Sequence, residues 1–417
     1  MRILLITAHF PPKNVIGSLR LYSFAYYWHL AGHNITVLTM PHKRNAYDLN
    51  LDISNFNIIE TSIPLISNFQ SSESNSNLSK NENILKNIIK KIFSFLKMFY
   101  NFISDNSQRF PSFFDLWAKK AIKSINAFDY DIVLSSGGPY SVHRVGLYLK
   151  NKNKKIKWIV DWRDLWTPSF KSFGLFNFYE KKLEKTFHKN ADLITCVSEP
   201  NSKIISSITS TSVKTIYNGF IPDDSLKTFN NIYKDKFTIV YIGSFYRNMQ
   251  DPSPFFEAIS RIKKKNIEFY NKLQIIFAGK NSNVIDLIQK YDISECYSFL
   301  GYIKMEESLS LQYNSDAVLF IDYNSNIEGI ISAKIFEYIY YSKSIIAIGN
   351  NSSSSAADLI KKTNTGIYLG SDIDIIEKYL IENVSNPIKY NKNNSVILEF
   401  TRENQAKKLL NYILQLT

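Results

Sequence analysis

Short apolar, β-branched runs recur along the chain, with helix-period patterns between them. The first series is Ile3 to Thr7, Ile35 to Thr39, Ile132 to Ser135, Trp158 to Asp161 and Leu193 to Val197. A second series follows at Thr238 to Ile242, Ile275 to Ala278, Tyr297 to Leu300, Ala317 to Ile321 and Ile345 to Ile348. Such runs, alternating with helices, predict parallel sheets covered on both faces. Two series in succession predict two doubly wound α/β domains, and 417 residues exceed what one ordinary hydrophobic core holds. The join falls in Asn218 to Lys236, where Gly, Pro and paired Asp residues occur without an apolar period. We place the first domain at 1–220, the second at 237–395, and a terminal helix in 396–417 with Ala406, Leu409, Leu410 and Ile413 along one side. Periodicity leaves open where that helix docks, and a return onto the first domain is one option.

A polar interruption, EGIISAKIFEYIYYSKS (Glu328 to Ser344), separates the last two runs. Between parallel strands it falls at a strand end, where α/β proteins build their sites. Ser332 is placed to cap a helix beginning with Ala333, whose unpaired N–H groups and partial positive charge suit a phosphate. Gly329 lets the backbone approach closely, and Lys334 adds a mobile cation beside the same anion. Glu337, about one turn further on, is positioned to accept hydrogen bonds from ribose hydroxyls, as acidic residues do in other nucleotide sites. The segment reads as a sugar-nucleotide site. The local pattern alone also allows a solvent-facing Lys/Glu pair.

Composition narrows the class. A hydrophobic content of 45% with 14% aromatic residues excludes a disordered or fibrous chain. Cys196 and Cys296 are far apart and lie in or beside apolar runs, which predicts buried free thiols and fits a reducing cytosol. The start, MRILLITAHFPP, reads as a first strand, and no run approaches the length of a membrane-spanning helix. The net charge of +13 has two readings, a compositional skew towards Lys or attraction to an anionic surface; no recognised motif adds nucleic acid to the partners. Within an insertion at about 67–115, after a Ser/Asn-rich loop (Ser67 to Ser79), Ile84 to Ile103 sets Lys86, Lys90, Lys91 and Lys97 among Ile, Leu and Phe. That helix suits either a membrane interface or a core-facing position with a solvated basic side. The expected location is cytoplasmic, peripheral on the inner face of the cell membrane if the helix binds it.

The ordered segments HFPPKNVIGSLRLYSFAYYWHLAGHNITVLT (His9 to Thr39), SSGGPYSVH (Ser135 to His143), KWIVDWRDLWTP (Lys157 to Pro168), VSEPNSKII (Val197 to Ile205), IYNGF (Ile216 to Phe220), YIGSFYRN (Tyr241 to Asn248), IFAGK (Ile276 to Lys280) and FLGYI (Phe299 to Ile303) lead up to the Lys334 helix. Taken with that helix, this succession resembles the GT-B glycosyltransferases of family 4, and the central segments are similar to a bacterial subgroup that makes surface polysaccharides. The resemblance implies two Rossmann-like domains facing a cleft, the first binding the acceptor and the second the nucleotide-sugar donor. It implies transfer with retention, to a glycan or polyprenyl-linked acceptor in O-antigen, capsule or exopolysaccharide synthesis, with a UDP-sugar favoured. It also implies donor contacts from Gly301 and Tyr302 to the base, Glu337 to the ribose, and Gly17 and Ser18 to the diphosphate; after the first strand of the second domain the family's Arg and Lys are imperfectly matched, leaving Ser244 and Arg247 as donor candidates, while Met249 and Gln250 supply no lysine.

Departures from the family pattern qualify that assignment. Its two glutamates stand eight positions apart, whereas Glu328 and Glu337 are nine apart and Gly329 occupies the eight-spaced position. Either a loop difference lets Glu328 serve at the donor sugar, or that glutamate is absent. The histidine of many relatives is replaced by Ser136 or Gly137, leaving His143 one turn later as the candidate. Asp161 ends a strand and is expected to face the cleft, unless Arg163, set between Asp161 and Asp164, neutralises an acid and makes the turn structural. Trp162 and Trp166 suit stacking on acceptor sugars, with core burial the alternative. Asp129-Tyr130-Asp131 precedes a strand and reads as a turn rather than a metal motif. Lys334, Arg247 and helix termini offset the leaving diphosphate, so no metal or other cofactor is expected. Rival readings are a GT-B-fold sugar-nucleotide epimerase and a non-catalytic basic membrane-binding protein.

Overall fold

The computed structural model describes residues 1–45, 48–62, 110–168, 176–223, 235–243, 249–279, 282–323 and 329–417. The insertion helix at Ile84 to Ile103, its Ser/Asn-rich loop, and Ser244, Arg247 and Glu328 lie outside the described residues. The chain separates into two compact units, Met1–Ile216 with Ala406–Thr417, and Tyr217–Gln405.

The first unit follows the order β1 (Arg2–Ile6), α1 (Ile16–Leu30), β2 (Asn34–Thr39), β3 (Asn57–Glu60), α2 (Phe113–Lys123), β4 (Ile132–Ser136), α3 (Ser141–Lys152), β5 (Lys157–Trp162), α4 (Asn177–Asn190), β6 (Leu193–Cys196), α5 (Glu199–Ile208) and β7 (Val213–Thr215). Its seven strands lie in the order β3-β2-β1-β4-β5-β6-β7, all parallel. The order reverses between β1 and β4, which opens a crevice at their carboxyl ends. β1, β4 and β5 are buried almost throughout because helices cover both faces of the sheet. α1 is buried on most sides, and its Trp28 indole donates to the carbonyl of Ala406 at 2.9 Å. Ala406, Leu409, Leu410 and Ile413 are buried with Ile3, Leu5, Leu21 and Trp28 in one core.

The second unit runs β8 (Phe237–Ile242), α6 (Ser253–Lys265), α7 (Ile267–Asn271), β9 (Leu273–Ala278), α8 (Ser282–Lys290), β10 (Tyr297–Gly301), α9 (Met305–Asn314), β11 (Ala317–Ile321), α10 (Lys334–Tyr341), β12 (Ile345–Ile348), α11 (Ser355–Thr363), β13 (Gly366–Gly370), α12 (Ile373–Ser385), α13 (Asn394–Glu399) and the start of α14 (Arg402–Leu414). Its parallel sheet has the order β10-β9-β8-β11-β12-β13, with the switch between β8 and β11. Both units are therefore doubly wound and Rossmann-like. Cys196 and Cys296 are buried free thiols. Asp131 pairs with Arg2 at 2.8 Å in the approach to β4. Among the described residues no helix is long and apolar enough to cross a membrane.

Candidate active site

The switch point of the second unit gathers the groups that sequence reasoning placed around the Lys334 helix. Gly243 follows β8, Gly279 follows β9 and Gly301 ends β10, and these glycines touch in a row. Gly243 N–H donates to Ala278 at 2.6 Å, and Gly279 N–H donates to Gly301 at 2.6 Å. At the other end of the row, a Cβ added to Gly243 would lie 2.6 Å from Lys334 Cε and 2.7 Å from Nζ. Gly243 also has φ +99°, a backbone conformation that other residues adopt at a cost. Glycine at this position thus makes room for the lysine.

Lys334 begins α10 and reaches back over β8. Its ammonium sits 4.7 Å from the centroid of the Tyr241 ring and 3.3 Å from the Tyr241 hydroxyl. Burial lowers its pKa to about 8, with Glu337 pulling the other way. Tyr338 holds the two elements in register, since its buried hydroxyl accepts the N–H of Ile242 at 3.0 Å. Lys392 closes the far end of α10 by donating to the carbonyls of Ile339, Tyr340 and Ser342. Tyr241, Tyr338 and Lys392 escape a reading of the sequence, because each is recognised only once a second element is packed beside it.

The capping expectation is corrected. The helix starts one residue later than expected, Ala333 is its N-cap, and no side chain caps it. Ser332 contributes its backbone carbonyl instead, accepting from Ile335 N–H. The first turn of α10 therefore carries no side-chain cap. Glu337 lies on this turn, half-buried, and its pKa is raised by burial against the opposing pull of Arg402, Gln312 and Lys334. Gly329, with φ +108°, precedes the helix, and Tyr302 beside Gly301 is 53% exposed.

Substituting Gly243 with Ala tests this arrangement. The added methyl displaces the lysine and strains the turn, so we expect a stability loss of about 1–2 kcal/mol together with weakened nucleotide binding. Thermal unfolding and calorimetry read the two effects separately.

In the first unit the predicted residues take different places. Asp161 is fully buried, its oxygens accepting from Arg20 Nε (3.0 Å), Arg20 Nη2 (2.7 Å), Ser136 Oγ (2.8 Å) and Thr195 Oγ1 (2.7 Å). Arg20 and those hydrogen bonds hold its pKa below the usual carboxylate range despite desolvation. It ties β4, β5, β6 and α1 together and presents no free lone pair to a substrate, which corrects the expectation that it faces the cleft as a catalytic residue. Trp162 and Trp166 are core residues at 3% and 8% exposure, so stacking on an acceptor sugar is replaced by burial. The Trp162 indole donates to His188 Nε2 at 3.0 Å, and Trp166 stacks on Tyr140 with ring centroids 4.2 Å apart.

His143 is also fully enclosed. The Trp158 indole donates to Ser135 Oγ at 2.9 Å, and that hydroxyl shares a 2.8 Å hydrogen bond with His143 Nδ1. Burial lowers the His143 pKa to about 3, so the ring is neutral. Its Nε2 has no partner and lies 2.8 Å from where a Cβ on Gly137 would be. The imidazole thus fills the space a side chain at position 137 would take. With no exposure it packs in the core beneath the strand end, which corrects its reading as the candidate histidine of the site.

Gly17 and Ser18 stand in the first turn of α1, whose N-cap Val15 supplies no side-chain bond. A Cβ on Gly17 would lie 1.4 Å from Arg163 Nη1, so an anion approaching Gly17 meets that guanidinium. The structural role that the sequence suggests for Arg163 is only part of its position. The further signal is the pair Gly17 and Gly138, the two small residues between which the guanidinium lies.

Comparison with known proteins bears on the fold and on the second unit. Residues 223–396 match the family model for glycosyl transferases group 1. Among solved structures, a sucrose-phosphate synthase from Thermosynechococcus elongatus is similar over 100% of this chain and 98% of its own, at 14% identity and a TM-score of 0.67. A point mutant of S. aureus TarM, in complex with Fondaparinux, alpha-GlcNAc-glycerol and UDP, is similar over 98% and 99%, at 11% identity and a TM-score of 0.60. S. aureus MnaA with UDP is similar over 100% and 97%, at 14% identity and a TM-score of 0.54. No curated protein sequence matches the chain. The fold is GT-B. The match over residues 223–396, within the second unit, and the GT-B fold support a glycosyltransferase enzyme.

Proposed function

We propose that the chain is a retaining glycosyltransferase of the family 4 type that moves a sugar from a nucleotide donor, UDP-linked by preference, to a glycan or lipid-linked acceptor in surface-polysaccharide synthesis. The observation that carries the donor site is the half-buried Lys334 ammonium beside Gly243, at the start of a helix that no side chain caps. A pyrophosphate there gains a charge-assisted bond from Lys334 and the N–H groups of the first turn. Glu337 accepts from the ribose hydroxyls, and Gly301 with Tyr302 borders the base. Ser244, Arg247 and Glu328 remain candidates for the diphosphate and the donor sugar. As charge grows on the leaving diphosphate, Lys334 offsets it, a task a metal performs in other enzymes. Retention and the polysaccharide role rest on the family resemblance, and UDP on the ligands of MnaA and TarM. The basic charge of +13 and the Ile84 to Ile103 segment support peripheral contact with the inner membrane face.

The test is a calorimetric screen of UDP, GDP and CMP, followed by the matching sugar nucleotides incubated without acceptor. We expect UDP to bind tightest and its sugar nucleotide to be recovered unchanged. An epimerised nucleotide sugar formed without acceptor would replace transfer with epimerisation.

A further inference from the structure

At the end of α10 opposite Lys334, the second unit holds a cavity of about 370 Å³, within the range in which small-molecule sites fall. Its lining includes Asp223, Tyr313, Tyr340, Tyr341, Asn394 and Leu398. α10 runs from the carboxyl end of β11 to the amino end of β12. At 1.5 Å per residue, Tyr340 stands about 9 Å along the helix axis from Lys334. The cavity is therefore set apart from the crevice at the carboxyl ends of the strands.

Its walls are held in place. Tyr340 stacks on Phe220 with ring centroids 4.6 Å apart, and the Tyr341 hydroxyl donates to the Ile221 carbonyl at 2.7 Å. Phe220 is pinned in turn, its N–H donating to the Phe400 carbonyl at 3.1 Å and its own carbonyl accepting from Arg402 N–H at 2.8 Å. The chain leading to Asp223 is thus tied both to α10 and to the start of α14. Tyr313 is half-exposed, and among the described residues its hydroxyl has no hydrogen-bond partner. Asn394 and Leu398 are exposed at the rim.

Charge decides what fits. Tyr313 and Tyr340 stand in the last turns of α9 and α10, whose carboxyl ends carry partial negative charge. Asp223 adds a full negative charge, and none of the described lining residues is Lys or Arg. The lysines nearest these helix ends are engaged elsewhere, Lys392 with the carbonyls of Ile339, Tyr340 and Ser342, and Lys343 with the Asn314 carbonyl at 3.2 Å. α13 meets the cavity at its amino end, but there the Asn393 side chain already accepts from Val396 N–H. A phosphate or a carboxylate gains nothing in this setting. An amine would match the charge, yet it would leave the acceptor oxygens of Tyr313 and Asn394 to compete for few protons and their donors without partners. Aromatic rings beside a carboxylate, a phenol and an amide suit a sugar, whose C–H face packs on a ring while its hydroxyls both donate and accept.

We propose that the cavity at the carboxyl ends of α9 and α10 is a second saccharide site, separate from the donor site, that holds one neutral sugar unit of the glycan the enzyme extends. That the sugar belongs to an acceptor glycan rests on the transferase reading above; the saccharide site itself does not.

Saturation-transfer NMR tests it on the full chain saturated with UDP, which occupies the donor site. The probes are the methyl glycosides of glucose, galactose and N-acetylglucosamine, with choline as a cationic control. The wild type is expected to bind at least one glycoside and to ignore choline. Tyr313→Ala should weaken that binding by about ten-fold and Asn394→Ala by about three- to ten-fold, both with UDP affinity unchanged. Asn394 is exposed at the first position of α13, so its variant keeps the proposal testable if melting curves show Tyr313→Ala unfolded. No glycoside signal from the wild type, or equal signals in the wild type and both variants, would overturn the site. Choline bound through Tyr313 in place of every glycoside would make it an amine site and overturn the saccharide claim. A parallel loss of UDP affinity in Tyr313→Ala would merge the cavity with the donor site and overturn its independence. A wild type that ignores UDP yet binds a glycoside through Tyr313 would sink the donor assignment and leave this site standing.

Discussion

Replacing Lys334 with Ala is expected to lower kcat/KM by about a hundred-fold or more while leaving the melting temperature nearly unchanged. A cation aimed at the charge that grows on a leaving group contributes about 2.7–4 kcal/mol in comparable sites, and the lower end suits a group only half shielded from water. The expected stability effect is small because Lys334 begins its helix without capping it, and because the Tyr241 ring beneath it stays buried when the ammonium is removed. The same residue sets a pH dependence. With a pKa lowered to about 8, it is charged at pH 7 and loses its proton as the pH rises through 8. UDP affinity should fall above that point, and binding near pH 8 should take up a proton, because the bound diphosphate favours the ammonium form. Calorimetry in buffers of different ionisation enthalpy measures the uptake. The Ala variant should show neither the uptake nor the fall.

The second large effect is on stability. Asp161→Ala leaves Arg20, which is 1% exposed, without its carboxylate, and removes the acceptor for Ser136 and Thr195. Breaking a buried pair from one side costs about 3–5 kcal/mol, a large part of what holds an ordinary domain folded. We expect a sharply lowered melting temperature, with residual activity in step with the folded fraction. A variant that melts like the wild type but loses turnover would restore Asp161 to catalysis. The folded-state pKa of Asp161 is depressed, so its contribution is present above the unfolded value near 3.8 and is lost as the pH falls through the lower folded value. The stability gap between wild type and the Ala variant should therefore narrow in acid.

Much of the architecture was legible because parallel central strands are apolar on both faces and announce themselves. β1, β4, β5, β8, β9, β11 and β12 all appear as runs in the sequence. β3, β7 and β13 were missed, and all three are sheet edges with mostly half-exposed residues. One covered side leaves no continuous apolar run to find. The same burial on both faces misled the reading of Asp161 and Trp162. At the end of β5 every position after Lys157 is buried, so a strand-end residue does not declare whether it faces a site or the core. The helix start carrying Lys334 and Glu337 was legible because it interrupts an apolar pattern between two buried strands. The positions of Arg163, Tyr241 and Tyr338 were not, since each is set by a residue distant in sequence, Gly17, Lys334 and Ile242 respectively.

The central claim is that the amino end of α10 holds a diphosphate while its acid holds the attached sugar. A crystal of the protein soaked with UDP tests it most directly. The account predicts a phosphate oxygen within hydrogen-bond distance of Lys334 Nζ and a ribose hydroxyl on the Glu337 carboxylate. Density for the nucleotide at any other place, or a bound UDP that leaves both side chains untouched, would contradict it.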